Sequence, residues 1–263
     1  MENALIGYSG FVGTTLLKQA KFEALYRSTN ISEIDGKSFG VAVCAAAPAQ
    51  KWIANRDPQD DLAKIEGLIA HLKTIKCETF VLISTVDVFK TPVGVDEDTP
   101  VDEAGLHAYG LHRRMLEKFV EQHFAKHLIV RLPGLVGPGL RKNVIYDFLN
   151  QNNLSAIESR GVFQFYPMTN LWYDIQTALA AGLQLLHLTA EPISVADVAQ
   201  LGFAFPFTQQ LANPPARYDL RTRHAALFGA FGDYQYRARD TLLAVRAYAQ
   251  SEPRTLPAVG GAV

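Results

Sequence analysis

The sequence predicts an α/β fold: a doubly wound parallel sheet with a small carboxyl-terminal lobe. Three observations carry that expectation. Short apolar runs alternate with helix-period segments through the first half of the chain, the pattern of parallel strands joined by crossover helices. The run Thr79 to Ser84 (Thr-Phe-Val-Leu-Ile-Ser) is apolar without alternation, as a strand covered on both faces is. Gly7, Gly10 and Gly13 stand between the first apolar run and the first helical one, where such a sheet turns its chain at the ligand-binding edge.

Taken in order, Asn3 to Ile6 reads as a strand and Phe11 to Ala20 as a helix. Glu23 to Arg27 is a short second strand, and Phe39 to Cys44 a third, ahead of an Ala-Pro stop. The clearest helix runs from Pro58 to about Lys76. Asp57 caps it, Pro58 suits its first turn, and Asp60 and Asp61 favour the positive end of its dipole. Leu62, Ile65, Leu68, Ile69 and Leu72 form its apolar face. Thr79 to Ser84 is the fourth strand, Leu106 to Phe124 a helix, and His127 to Leu132 the fifth strand. The second half is less regular. Asn143 to Leu149 reads as a helix, Val162 to Tyr166 as a strand, Asn170 to Leu186 as a helix and His187 to Thr189 as a strand. Ser194 caps a helix from Val195 to Leu201, with Asp197 placed as in a capping box. Asp240 to Gln250 is the last helix. This organisation predicts a nucleotide-binding unit over residues 1–140, a small substrate-binding lobe over 141–250 interleaved with it, and a flexible tail over 251–263.

Composition narrows the function. Of 263 residues, 48% are hydrophobic and 19% charged, enough to bury a full core. Lys and Arg total 25 against 26 Asp and Glu, so the chain lacks the basic excess of a nucleic-acid binder. Two cysteines, Cys44 and Cys77, make no disulfide framework and fit a reducing compartment. Neither a secretory signal nor a run of about 20 apolar residues able to span a membrane is evident. The expectation is a cytoplasmic protein with a small-molecule substrate and neither nucleic acid nor membrane as partner. The seven histidines are scattered and suggest no metal site.

The opening turn is the strongest motif: Gly7-Tyr8-Ser9-Gly10-Phe11-Val12-Gly13. Gly7 permits the turn, Gly10 lets a pyrophosphate approach the backbone, and Gly13 lets helix and strand pack closely; the amides of Ser9 to Gly13 then hold the anion. This is a Rossmann-type dinucleotide signature with Gly-x-x-Gly-x-x-Gly spacing. After the second strand, where an acidic residue would bind a ribose diol, the chain carries Arg27 and Ser28. A guanidinium and a hydroxyl suit a 2′-phosphate, so NADP(H) is favoured over NAD(H).

These motifs resemble the extended short-chain dehydrogenase/reductase family, of the NAD-dependent epimerase/dehydratase and dTDP-4-dehydrorhamnose reductase kind. The similarity runs from Asn3 to about Leu201. It includes the glycine turn and the small-residue stretch Ala45-Ala46-Ala47-Pro48. Ser84-Thr85-Val86-Asp87-Val88-Phe89 is similar to the family's Ser-Thr-Asp-Tyr-Val-Phe segment. Tyr109-Gly110-Leu111-His112-Arg113, continuing to Glu117, resembles Tyr-Gly-x-Ser-Lys-x-x-x-Glu. Arg131-Leu132-Pro133-Gly134, continuing to Gly139, resembles the stretch near the nicotinamide, and Leu186 to Val195 a run of the substrate lobe.

The resemblance implies hydride transfer at a carbonyl or alcohol carbon of a small substrate, with nucleotide sugars as the class the family suggests. Tyr109 would give or take the proton and Thr85 would hold the substrate oxygen. Ala45, Ala46, Ala47, Ser84, Leu132, Pro133 and Gly134 would line the cofactor. The family's lysine is Arg113 here. Being one turn after Tyr109, it shares its helical face and would, like Tyr109, contact the cofactor, supplying charge and bonding the nicotinamide ribose, but an arginine stays protonated and cannot relay a proton. Three roles stand open for it: a working substitute with His112 or water carrying the proton, the mark of a catalytically weak cofactor-binding protein acting as a sensor or regulatory partner, or a mere surface charge. His112 reads equally as a plain helix-surface residue. Asp87, Arg141, Lys142, Asn143 and Tyr166 are candidate substrate contacts; Arg217, Arg221 and Arg223 form a late basic cluster, and Trp52 and Trp172 offer stacking faces. The expected strand order is 3-2-1-4-5-6. The helices from Asp57 to Lys76 and from Leu106 to Phe124 form a dimer contact in many family members, which implies a homodimer.

Overall fold

The computed structural model describes residues 1–254; most of the expected tail lies outside the described residues. Six parallel strands form the main sheet: β1 (Ala4–Ile6), β2 (Ala24–Tyr26), β3 (Ser38–Cys44), β4 (Lys76–Thr85), β5 (His127–Leu132) and β6 (Leu185–His187). Among the described residues the longer helices are α1 (Phe11–Gln19), α2 (Lys51–Arg56), α3 (Pro58–Leu72), α4 (Ala108–His123), α5 (Val144–Asn150), α6 (Leu171–Ala180) and α7 (Ala238–Ser251).

The sheet is doubly wound, and successive residues of its strands feed opposite layers. Ile6, Ala42, Cys44 and Leu82 pack under α3 and α4, against Ile65, Leu72, Leu116 and Val120. Leu5, Val43, Val81 and Val130 pack on the other face with Leu16 of α1 and Ile175 of α6. The apolar face read for α3 is the buried one, although Leu62 is only half-buried, and Asp57 caps the helix by accepting from the Asp60 amide at 3.2 Å.

The strand order is β6-β5-β4-β3-β1-β2, not the expected 3-2-1-4-5-6. The third strand does not extend the edge beyond β2; it lies between β1 and β4. Burial explains the difference. The apolar residues of β3 are covered from both sides, whereas β2 is only partly buried, and a continuous apolar run gains most at the centre of a sheet.

The second half departs further from expectation. Val162 to Tyr166 is two short strands, Val162–Phe163 and Phe165–Pro167, which pair with Ile193–Ser194 and Gly134–Val136 respectively. Between them the buried Gln164 side chain bonds the Ala190 and Leu220 backbones. The helix expected to reach Leu186 stops at Ala180, and the following strand is Leu185–His187 rather than His187 to Thr189. Ser194 caps as expected, by accepting from the Asp197 amide at 3.0 Å, but the regular turn is short and opens into a wide one over Val198–Gly202. A third apolar cluster, with Ile145, Phe148, Val195, Val198, Val245 and Tyr248, holds α5 and α7 together. Because β6 comes from the second half, both halves share one hydrogen-bonded sheet. No helix among the described residues is long and apolar enough to cross a membrane.

Candidate active site

The glycine turn bridges β1 and α1. Gly7 has φ +89°, and its amide donates to the Tyr26 carbonyl at 2.7 Å. A Cβ on Gly7 would sit 2.5 Å from the Ala45 carbonyl, and one on Gly13 would sit 2.2 Å from the Gly7 carbonyl oxygen. Packing therefore demands both. Gly10 differs: its nearest contact would be an ordinary 3.6 Å. Gly10 is also the N-cap of α1, and no side chain caps that helix. The turn thus leaves an open cradle at a helix N-terminus, where backbone amides and the dipole favour an anion; these residues fit a dinucleotide pyrophosphate.

Around the cradle lie Ala45 to Ala47, half-buried after β3, and Arg27 and Ser28, exposed after β2. The Arg27 guanidinium stands 5.9 Å from the centre of the Tyr8 ring and its Nε donates to Thr29 at 2.9 Å.

At the carboxyl edge of the central strand, Thr85 ends β4. Its hydroxyl accepts from the Asp87 amide at 3.2 Å and stands beside the Tyr109 phenol, whose ionised form it favours. Two side chains organise the start of α4 for this contact: His107 Nδ1 accepts from the Gly110 amide and Asn55 Oδ1 accepts from the Tyr109 amide, each at 3.0 Å. A Cβ on Gly110 would lie 2.1 Å from the Asp87 carbonyl oxygen, so only glycine lets α4 dock here and bring Tyr109 to Thr85. Burial pushes the Tyr109 phenol above its ordinary range, while Arg113 pulls it back.

Arg113 is buried, and its guanidinium carbon is 4.0 Å from the centre of the Tyr109 ring. It is not a surface charge. Its two terminal nitrogens grip both oxygens of Asp61 on α3, at 2.5 and 2.9 Å, and also donate to the Tyr109 and Pro48 carbonyls. His112, read as a helix-surface residue, is buried too and bonds Asp61 at 2.6 Å. Burial opposes the Asp61 charge, but the bonds from Arg113 and His112 outweigh it and hold the carboxyl below its usual range.

Three residues invisible as a group in the sequence complete the mouth. Lys51, the first residue of α2, pairs with Asp87 Oδ1 at 2.7 Å, and the Tyr218 hydroxyl donates to the same oxygen at 3.1 Å. Lys142 donates to the Ala49 carbonyl. Burial lowers its affinity for a proton, with Asp87 opposing and Arg113 reinforcing that effect.

Other candidates are occupied elsewhere. Ser84 is buried and donates to Glu117 at 2.6 Å within an Arg131–Glu117 pair. Leu132 and Pro133 are buried at the end of β5 and Gly134 is exposed. Asn143 caps α5 and Arg141 is exposed. Tyr166, read as a substrate contact, is fully buried with its hydroxyl 2.5 Å from Asp174, so it is a core residue. The late arginines are not a free cluster: Arg221 pairs with Asp219, and Arg223 with Asp98. Trp172 packs on Phe22, while the exposed Trp52 stacks beneath Arg56.

No protein-family model and no curated protein matches the chain. Solved structures do. A dTDP-4-dehydrorhamnose reductase from Clostridium acetobutylicum is 17% identical, with a TM-score of 0.68 over 95% of this chain and 99% of that one. A dTDP-4-dehydrorhamnose reductase from Bacillus anthracis, solved with NADP, is 16% identical, with a TM-score of 0.68 over 95% and 98%. A UDP-glucose 4-epimerase from Thermotoga maritima, solved with UDP-glucose, is 13% identical, with a TM-score of 0.67 over 95% and 98%. The chain shares the α/β fold of these structures.

Proposed function

We propose that the protein is an NAD(P)-dependent oxidoreductase or epimerase acting on a small carbonyl or hydroxyl substrate, with nucleotide sugars as the class suggested by its structural neighbours. The observation that carries this reading is the close approach of Gly110 to the Asp87 backbone, which docks Tyr109 beside Thr85 at the carboxyl edge of β4, with the glycine cradle on the same edge of the sheet. In α/β sheets that edge is where ligands bind.

In this reading the amides of Ser9 to Gly13 hold the pyrophosphate, and Arg27 with Ser28 takes a 2′-phosphate, favouring NADP(H). The nicotinamide, when bound, supplies or accepts the hydride. Thr85 orients the substrate oxygen. Tyr109 donates a proton to that oxygen in reduction and removes it in oxidation. A free phenol titrates at about 10, so the fixed charge of Arg113 beside the ring favours the phenolate that each turnover forms.

Titration of the purified protein with NADPH and NADH by fluorescence tests the reading. Tighter binding of NADPH supports both the cradle and Arg27, and licenses a screen of carbonyl substrates. Binding of neither overturns it. A second reading, a cofactor-binding regulatory protein with little catalysis, is favoured by one observation: the terminal nitrogens of Arg113 are committed inside the protein. Carbonyl reduction that is lost in Tyr109→Phe would exclude it.

A further inference from the structure

The donors around Tyr109 can be counted. A guanidinium has five N–H groups. Four of Arg113's bonds go to Asp61, Tyr109 and Pro48, and its Nε is buried without a partner. Arg113 can therefore supply an electric field but no hydrogen bond to a ligand. Lys51 is the converse case. An ammonium has three N–H groups. Among the described residues Lys51 spends one on Asp87 at 2.7 Å and one on the Tyr218 hydroxyl at 3.3 Å, and its side chain is 38% exposed.

The position of Lys51 follows from the path of its segment. Ala45 abuts Gly7 at the cradle, the Pro48 carbonyl holds Arg113, and Lys51 reaches Asp87 beside the Thr85–Tyr109 pair. The stretch from Ala45 to Lys51 thus runs from the cradle to the neighbourhood of Thr85 and Tyr109.

We propose that Lys51 contributes the cationic hydrogen-bond donor of this site, directed at a hydroxyl or carbonyl oxygen on the nicotinamide half of the cofactor, and that Arg113 contributes only fixed charge. The two tasks that one lysine could perform after Tyr109 are divided between two elements, α4 and α2. Asp87 and Tyr218 hold the ammonium in place, which makes them positioning residues. The inference rests on the cofactor-binding reading above.

The test compares NADPH with 2′,5′-ADP, which carries the 2′-phosphate but lacks the nicotinamide half. Binding is measured for the wild type, Lys51→Met, Lys51→Arg and Arg27→Ala, each checked by thermal melting. Loss of a charged donor should weaken NADPH about 10-fold in Lys51→Met and leave 2′,5′-ADP unchanged, with Lys51→Arg recovering most of the loss. Arg27→Ala should weaken both ligands. NADPH binding in Lys51→Met equal to wild type overturns the inference, as does equal weakening of both ligands. In either case wild-type binding keeps the cofactor reading. A wild type that binds neither ligand overturns that reading and the inference with it.

Discussion

Arg113 and Asp61 form a buried two-point ion pair between α4 and α3, at 2.5 and 2.9 Å. The pair fixes the guanidinium against the Tyr109 ring and ties the proposed catalytic helix to its neighbour. Both side chains are nearly inaccessible, at 3% and 4%, so water does not compensate either partner if the other is removed.

Asp61→Ala should therefore destabilise the fold by about 3–5 kcal/mol, as expected when a buried charge loses its partner. Removing both charges in Asp61→Leu with Arg113→Met should cost less than Asp61→Ala alone. Urea denaturation of the single and double variants measures this; additive losses would mean that the pair is not coupled.

The Gly10 and Gly13 variants should separate binding from folding. Gly13→Ala drives a Cβ to 2.2 Å from the Gly7 carbonyl and should lower the melting temperature by several degrees. Gly10→Ala meets the Gly7 carbonyl oxygen at an ordinary 3.6 Å and should melt near wild type while weakening NADPH at least 10-fold, because the methyl group occupies the cradle.

Tyr109→Phe keeps the ring beneath Arg113 and removes the hydroxyl. Carbonyl reduction should fall by about 10²–10⁴-fold while NADPH affinity stays within about twofold. A fall in affinity with unchanged turnover would contradict a proton-transfer role.

Asp174 should make stability depend on pH in the sense opposite to most carboxylates. Burial raises it from 3.8 to about 6. Its folded value is thus above its unfolded one, so its contribution is fully present below about pH 4 and is lost as pH rises through 6. Asp174→Asn, which keeps a partner for the Tyr166 hydroxyl, should gain stability relative to wild type between pH 4 and 7. A wild-type-minus-variant difference that is flat across that window would refute this.

The bulk of the sheet was legible because strands covered on both faces are apolar runs, and because the turn glycines meet local steric demands. His127–Leu132 matches its expected bounds, and β4 differs only at its ends. Strand order was not legible: an apolar run shows that a strand is covered on both sides, not which strands cover it. Helix α2 was missed since six residues show no period, and with it went Asn55 and Lys51.

The sequence by itself carried the three turn glycines, the expectation of Thr85 and Tyr109 as a pair, and Arg113 one helical turn beyond Tyr109. Each depends on residue type at short spacing. Only the tertiary structure decided what Arg113 does, because its partner Asp61 lies 52 positions away on another helix. The same holds for the mouth of the site, where Lys51, Asp87 and Tyr218 meet across as many as 167 positions. Hydrogen bonds and charge pairs act over a few ångströms of space, and distance along the chain carries no record of which groups the fold will bring that close.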